Sequence, residues 1–373
     1  LMMAHIRGVT PTSQTSFSFL YLENVIGGMV GVLLTAAVLI EWIGLRHCLA
    51  VAALGNFGIA ILALTIAGQV CRNPAIPTAG ETAIGPASVA STAGGRTALN
   101  ILFMTGFTSM AIEVVWTRLF MPVLFTSIYS FAAILAVYLC TTWIGSLKYR
   151  RSLVRGRTLG PVVLLGWLAA TALLPLFAND PGLSPYLFFV ARKLPLDVGL
   201  AMRLIGIVLV FASITPFCML LGYLLPLLVD EYAGGAPRAA GHAYALNIVG
   251  CILGPLVAAY VLLPWLGLKY SYVLLAFPYL AFFLRERAAS RAHKGLGPAL
   301  AIPAVALILF AGLFCRTYED GMFYGPSQVR RDHVATTIAY GSGFNKGLLI
   351  NGYGVTSLTP ITKFMAHFPL ALL

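Results

Sequence analysis

Charge is what this sequence has least of. Only 10% of its 373 residues are Asp, Glu, Lys or Arg, where a soluble domain carries roughly 25%. That excludes an ordinary globular protein. Acidic residues are the scarcer sign, and the net charge is +12. This excess does not point to nucleic acid, because the basic residues sit in short loops between apolar runs, where they act as topology signals. Cysteine is sparse and scattered: Cys48, Cys71, Cys140, Cys218, Cys251 and Cys315 form no C-x-x-C or Cys/His spacing. A zinc site and a disulfide framework are thereby disfavoured, and each thiol reads as a small buried apolar residue. His5, His47, His242, His293, His333 and His367 have no metal-ligand spacing, so no metal is expected. No G-x-S-x-G, P-loop or complete G-x-G-x-x-G motif occurs, and the G-S-G at 341–343 belongs to a hairpin.

What is abundant is apolar length. Hydrophobic residues make up 59% of the chain and the mean hydropathy is +0.89. A spanning helix needs about 20 apolar residues. Nine such runs start near Val25, Cys48, Ala98, Phe120, Leu159, Met202, Tyr244, Tyr270 and Leu296. The fold class expected is therefore an all-α polytopic membrane protein, embedded in a lipid bilayer, with no nucleic-acid partner. Residues 1–70 read as the end of a first membrane repeat with two helices. Residues 71–97, rich in Pro, Gly, Ala, Ser and Thr, read as a flexible linker. Residues 98–315 read as a second membrane repeat of about seven helices. Leu1 is not an initiator methionine and the chain ends in an apolar run, so a longer polypeptide is expected.

The repeat rests on one offset. "YLENVIGGMVGVLLTAAVLIEWIGL" (21–45) and "YALNIVGCILGPLVAAYVLLPWLGL" (244–268) align without a gap. Tyr21, Asn24, Gly27, Gly31, Val38, Trp42 and Gly44 coincide with Tyr244, Asn247, Gly250, Gly254, Val261, Trp265 and Gly267. Repeats of this kind mark transporter-like folds. Gly27/Gly31 and Gly250/Gly254 make small-xxx-small faces that suit close helix packing, or a place where backbone meets a ligand, and through which other membrane subunits could associate. Asn24 and Asn247 are either polar glue between helices or the lining of a central site.

"GFTSMAIEVVWTRLF" (106–120) places Glu113 inside an apolar segment that closes on Trp116 and Arg118. A carboxylate there is costly unless paired, neutral or wetted. Arg118 lies five residues on, about 140° round a helix, so it does not face Glu113. Glu113 is either hydrogen-bonded within the bundle or to another subunit, or part of a proton or cation relay in a transporter-like cavity. Trp116 and Arg118 suit an interfacial anchor.

Loop charge sets the sides. "KYRRSLVRGR" and "RERAASRAHK", with Arg7, Arg72, Arg96 and Arg238, fall on one face, against Arg46, Arg118, Arg192, Lys193, Arg203 and Lys269 on the other. The first face is expected to be cytoplasmic in a bacterial inner membrane, which puts the tail, residues 316–373, outside the cytoplasm. In that tail "DHVATTIAYG" and "KGLLINGYGV" read as β-hairpin strands, "NG" at 351–352 as a further turn, and "PITKFMAHFPLALL" as a helix.

"GFTSMAIEVVWTRLF", "GYLLPLLVDEYAGGAPRAAGHAYALNIVGCILGPLVAAYVLLPWLGL" and "LLINGYGVTSLTPITKFMAHFPL", in that order, resemble the membrane-fused spermidine-synthase-like proteins. In that family a transporter-like helical region precedes a polyamine aminopropyltransferase domain. The resemblance implies that the tail is the truncated β-hairpin/α start of a Rossmann-like synthase domain. It also implies decarboxylated S-adenosylmethionine as the family's cosubstrate, although no cofactor is evident in these residues. "MAHFPL" matches the family's "LAHLPL", which places His367 near a substrate cleft, or as a helix histidine beside the core. Asn351 stands where soluble relatives have an aspartate, and Val355 where they have a glutamine. No acidic residue follows Asp332. The expectation is a membrane anchor and association module, with the catalytic part lying beyond. The alternatives are a non-enzymatic accessory subunit of a membrane complex and an organic-cation (polyamine) transporter.

Overall fold

The computed structural model describes residues 16–72, 93–124, 128–289, 297–321, 326–343 and 345–371. Most of the linker expected at 71–97, together with Arg7, His5 and His293, lies outside the described residues. The described chain is mostly helical and closes in a small four-stranded antiparallel sheet. In order, the helices are α1 (Ser16–Leu34), α2 (Ile40–Arg72), α3 (Ala93–Leu119), α4 (Met121–Leu124), α5 (Ile128–Val154), α6 (Pro161–Thr171), α7 (Leu174–Ala178), α8 (Ser184–Ala191), α9 (Val198–Ala233), α10 (Pro237–Val257), α11 (Leu263–Ala289), α12 (Gly297–Phe314), α13 (Tyr318–Gly321) and α14 (Pro360–Ala371). Between α13 and α14 run β1 (Ser327–Arg331), β2 (Thr336–Ser342), β3 (Asn345–Ile350) and β4 (Tyr353–Ser357).

Among the described residues seven helices are long and apolar enough to cross a membrane, where nine runs are expected from the sequence. The difference is a matter of breaks. Two of the seven, Phe17–Thr65 and Pro237–Ala288, are 49 and 52 residues long. At 1.5 Å per residue each would run to about 75 Å, more than twice the hydrocarbon thickness. Both are interrupted by one non-helical glycine, Gly44 (φ 73°, ψ 166°) and Gly267 (φ 71°, ψ −177°). Only glycine takes that conformation without strain, so each long helix divides into two segments, each long enough to cross a membrane.

These two helices share more than a glycine. A π-helical turn precedes each break, at Thr35–Leu39 and at Ala258–Leu262, the same 223 positions apart as Trp42 and Trp265. The two tryptophans are exposed to the same degree, 83% and 82%. A π turn accommodates one extra residue in the helical ladder, and both helices do so nine residues before their glycine.

Glycine also sets the closest helix crossings. On α10, a Cβ at Gly250 would lie 2.8 Å from the Phe107 backbone nitrogen, and one at Gly254 3.2 Å from that of Ala111. On the other side of the bundle α5 and α9 interlock: a Cβ at Gly222 would lie 2.7 Å from Thr142 Cα, and one at Gly145 3.0 Å from the Tyr223 nitrogen. Ser146 Oγ donates to the Gly222 carbonyl across this crossing at 2.7 Å. Small residues let backbones approach where lipid gives helices no hydrophobic drive to associate.

The sheet is a meander in the order β1-β2-β3-β4. The β3–β4 connection is the expected "NG" turn, with Asn351 at φ 52° and Gly352 at φ 78°, the left-handed pair that a type I′ hairpin requires. The expected hairpin across 343–344 joins β2 and β3, pairing Ser342 with Asn345. Strand β1, "SQVRR", was not anticipated from the sequence. It is a charged edge strand without apolar alternation, the composition that protects an exposed edge.

Candidate functional site

Two polar clusters stand out against the apolar background. The first lies inside the bundle around α3. Glu113 is 6% exposed, and its Oε2 is buried without a hydrogen-bond partner. Tyr138 of α5, Cys218 of α9 and Cys251 of α10 lie within its electrostatic reach. Neighbouring turns of α3 are tied to α11: Thr108 Oγ1 donates to the Tyr279 hydroxyl at 2.5 Å, and Trp116 Nε1 donates to the Tyr272 hydroxyl. Trp116 is fully buried, with Phe217 edge-on at 5.9 Å between ring centroids. It is a core residue, which corrects the interfacial-anchor expectation: its indole finds a hydroxyl partner inside the bundle. Arg118 is likewise buried, with Nη1 lacking a hydrogen-bond partner. Asn247 donates Nδ2 to the Leu102 carbonyl at 2.8 Å, joining α10 to α3 beside Gly106.

The second cluster is where the sheet meets the bundle, and Glu319 is its centre. Thr317 Oγ1 accepts from the Glu319 amide at 3.3 Å and starts the short helix α13. The Glu319 side chain is 3% exposed. Its Oε2 accepts from the Leu268 amide at 3.2 Å and from Arg331 Nε at 3.0 Å, and its Oε1 accepts from Thr336 Oγ1 at 2.8 Å. One carboxylate thereby joins α11, β1 and β2. The break at Gly267 makes this possible twice over. It frees the Leu268 amide from the helical ladder, and the missing Cβ, which would lie 2.7 Å from Glu319 Oε2, leaves room for the carboxylate. Further contacts fix the sheet: His333 stacks on Tyr260 of the π turn at 5.1 Å, and Gly352 sits against Pro122 and Tyr318. The sheet is thus held at the end of the bundle that carries Arg118 and Lys269.

The remaining sequence candidates fall in different places. Asn351 is buried, accepting from the Thr336 amide at 2.8 Å and donating its own amide to the Thr336 carbonyl at 2.8 Å. Its side chain is spent on the turn. His367 is exposed on α14, beside exposed Phe364 and Phe368. No hydrogen bond joins His367 to Asn351. Asn24, Gly27 and Gly31 are exposed on α1, with nothing within 4 Å of where a Cβ would stand on either glycine. Among the described residues no three His, Cys, Asp or Glu side chains group to hold a metal ion.

Sequence reasoning missed Glu319, Arg331 and Tyr272. The signal for Glu319 was a lone acidic pair directly after the last apolar run. Its partners come from three separate elements that no local spacing connects. No family model, no curated protein and no solved structure matches this chain.

Proposed function

We propose that these residues form the membrane module of a spermidine-synthase-like protein, anchoring the β-rich start of a synthase-like domain to one face of a repeat-built helical bundle. The Glu319 node carries this reading, because it ties the sheet to the glycine break of α11 through a buried carboxylate. The matched π turns and glycine breaks support the internal repeat. The motif order supports the family. Within these residues the role is attachment and association, in a bacterial inner membrane, with the sheet on the basic-poor face and outside the cytoplasm.

Spin labels at Lys269 and Ser342 test the anchor. In lipid bilayers one narrow distance is expected, broadening in Glu319→Ala. A broad distribution in the native chain would sink the reading. Labelling a cysteine at Ser342 with a membrane-impermeant thiol reagent in intact cells then separates two roles. Labelling in intact cells supports the accessory subunit, and labelling only after lysis supports a cytoplasmic aminopropyltransferase.

The buried, partnerless Glu113 oxygen favours a second reading, passage of an organic cation. Spermidine uptake into proteoliposomes, abolished by Glu113→Gln, supports it; no uptake by the native chain removes it.

A further inference from the structure

Where the sheet meets the bundle, three buried side chains carry polar atoms that no described residue answers. Arg118 at the end of α3 is 4% exposed, and its Nη1 has no hydrogen-bond partner. Tyr318, which opens α13, is 3% exposed, and its hydroxyl is unbonded. Ser271 of α11 is fully buried, with an unbonded Oγ. Bonds between their neighbours bring the three to one junction. Trp116, two residues before Arg118, donates to Tyr272, the residue after Ser271. Glu319, the residue after Tyr318, accepts from the amide of Leu268, three residues before Ser271. Arg118 and Tyr318 also lie within each other's electrostatic reach.

A buried guanidinium without a counter-charge is costly. Among the described residues no carboxylate pairs with Arg118. The two acidic side chains within its reach are already committed. Glu319 takes Arg331 Nε, the Leu268 amide and Thr336 Oγ1. Asp332 is exposed, and its Oδ1 accepts from the Val334 and Ala335 amides at 2.7 and 2.6 Å. Thr336 stands near the Tyr318 hydroxyl, but its own proton goes to Glu319 Oε1.

We infer that Arg118, with the Tyr318 and Ser271 hydroxyls, binds one small inorganic anion, a halide such as chloride, between α3, α11 and α13. Chemistry sets the sign: a guanidinium offers only donors, and each hydroxyl can donate as well. Charge sets the number. Arg331 and Glu319 offset each other at 3.0 Å, which leaves Arg118 one positive charge for one monoanion. Burial sets the size, because a phospholipid headgroup or an organic acid cannot reach side chains exposed by 4% or less. The anion ties the end of α3 to the helix that leads into the sheet, a second fastening beside Glu319. This inference shares its junction with the anchor proposed above and is independent of the family reading.

The whole chain in detergent micelles is titrated with chloride against gluconate, a bulky organic anion, at constant ionic strength. The line width of the chlorine nuclear magnetic resonance signal reads the exchange of chloride with the protein. Saturable broadening that bromide displaces is expected. Tyr318→Phe removes only an unbonded hydroxyl and should weaken chloride binding about tenfold, the scale of one hydrogen bond to a charged group. Arg118→Met should abolish the broadening, and Arg151→Met, at an exposed arginine of α5, should leave it unchanged. No saturable broadening in the native chain means that water answers Arg118, and overturns the proposal. Broadening that ignores Tyr318→Phe or Arg118→Met, or that Arg151→Met removes, shows an adventitious ion only and also overturns it. Should Arg118→Met fail to fold, Tyr318→Phe decides alone. The spin-label distance between Lys269 and Ser342 reports on the anchor separately. A narrow distance without chloride binding defeats the anion site alone, whereas a broad distance with chloride binding defeats the anchor alone.

Discussion

Leu268 donates its backbone amide to Glu319 across 3.2 Å, so the residue after a break in a long apolar helix is capped by a carboxylate that also holds the sheet. Removing the carboxylate strands three donors at once: this amide, Arg331 Nε and Thr336 Oγ1. Leaving buried donors unpaired costs about 2–4 kcal/mol in total. Glu319→Ala is therefore expected to speed amide hydrogen exchange in β2 and β3 by roughly thirty-fold or more, with α5 and α9 unchanged. Equal exchange in the variant and the parent would mean that the sheet is held by other contacts.

Asn351 separates a turn role from a ligand role. Its φ of 52° disfavours a residue with a Cβ, and its Oδ1 accepts the Thr336 amide. At a pH that keeps the new carboxyl neutral, Asn351→Asp keeps both properties without burying a charge and should leave stability within about 0.5 kcal/mol. Asn351→Ala loses both and should cost about 1–3 kcal/mol. Asn351→Gly relieves the backbone but not the amide, and should fall between them. Thermal unfolding of the sheet, followed by near-UV signals, ranks the three. Any other order removes the turn explanation.

What the sequence made legible was local pattern. Apolar length gave the long apolar helices, and a constant offset of 223 pairs Gly44 with Gly267, which share a non-helical backbone. The "NG" at 351–352 gave the turn, because only a few residues tolerate positive φ. What stayed hidden depends on contacts between distant elements. Nothing near Glu319 names Leu268 or Thr336 as its partners. Trp116 read as an interfacial tryptophan because a tryptophan at a span's end usually lies at the interface, whereas Tyr272 of α11 draws it inward. Gly145 follows Thr141 at small-xxx-small spacing on α5, whereas Gly222 has no small residue four positions away on α9. Each makes sense only once the other helix crosses it.

Asp332 is exposed, yet its carboxyl is held below the ordinary aspartate range, first by the Ala335 amide and then by that of Val334. The sign follows directly. The ionised form is favoured when folded, so the contribution of this turn to stability is complete above the unfolded aspartate pKa. It is lost as pH falls through the lower folded value. The Val334 and Ala335 amide shifts in nuclear magnetic resonance should therefore titrate below the ordinary aspartate range, and Asp332→Asn should abolish that titration. A midpoint at or above the ordinary value would show that the two amide bonds do not persist in solution.

Glycine is not equally needed everywhere in this bundle, and the contrast between two sites makes a test. A Cβ at Gly222 on α9 would press on the Thr142 backbone of α5, and backbone cannot swing aside as a side chain can. Gly58 on α2 has nothing within 4 Å of that position. Both are small residues in apolar helices, so composition alone treats them alike. Gly222→Leu must separate α5 from α9 and break the Ser146 bond to the Gly222 carbonyl, a cost of about 2–4 kcal/mol. Gly58→Leu adds a side chain that meets nothing within 4 Å of its Cβ and should stay within about 0.5 kcal/mol. Unfolding in mixed micelles with increasing sodium dodecyl sulfate measures both. A neutral Gly222→Leu would refute the close crossing. A costly Gly58→Leu would reveal a partner packed on α2.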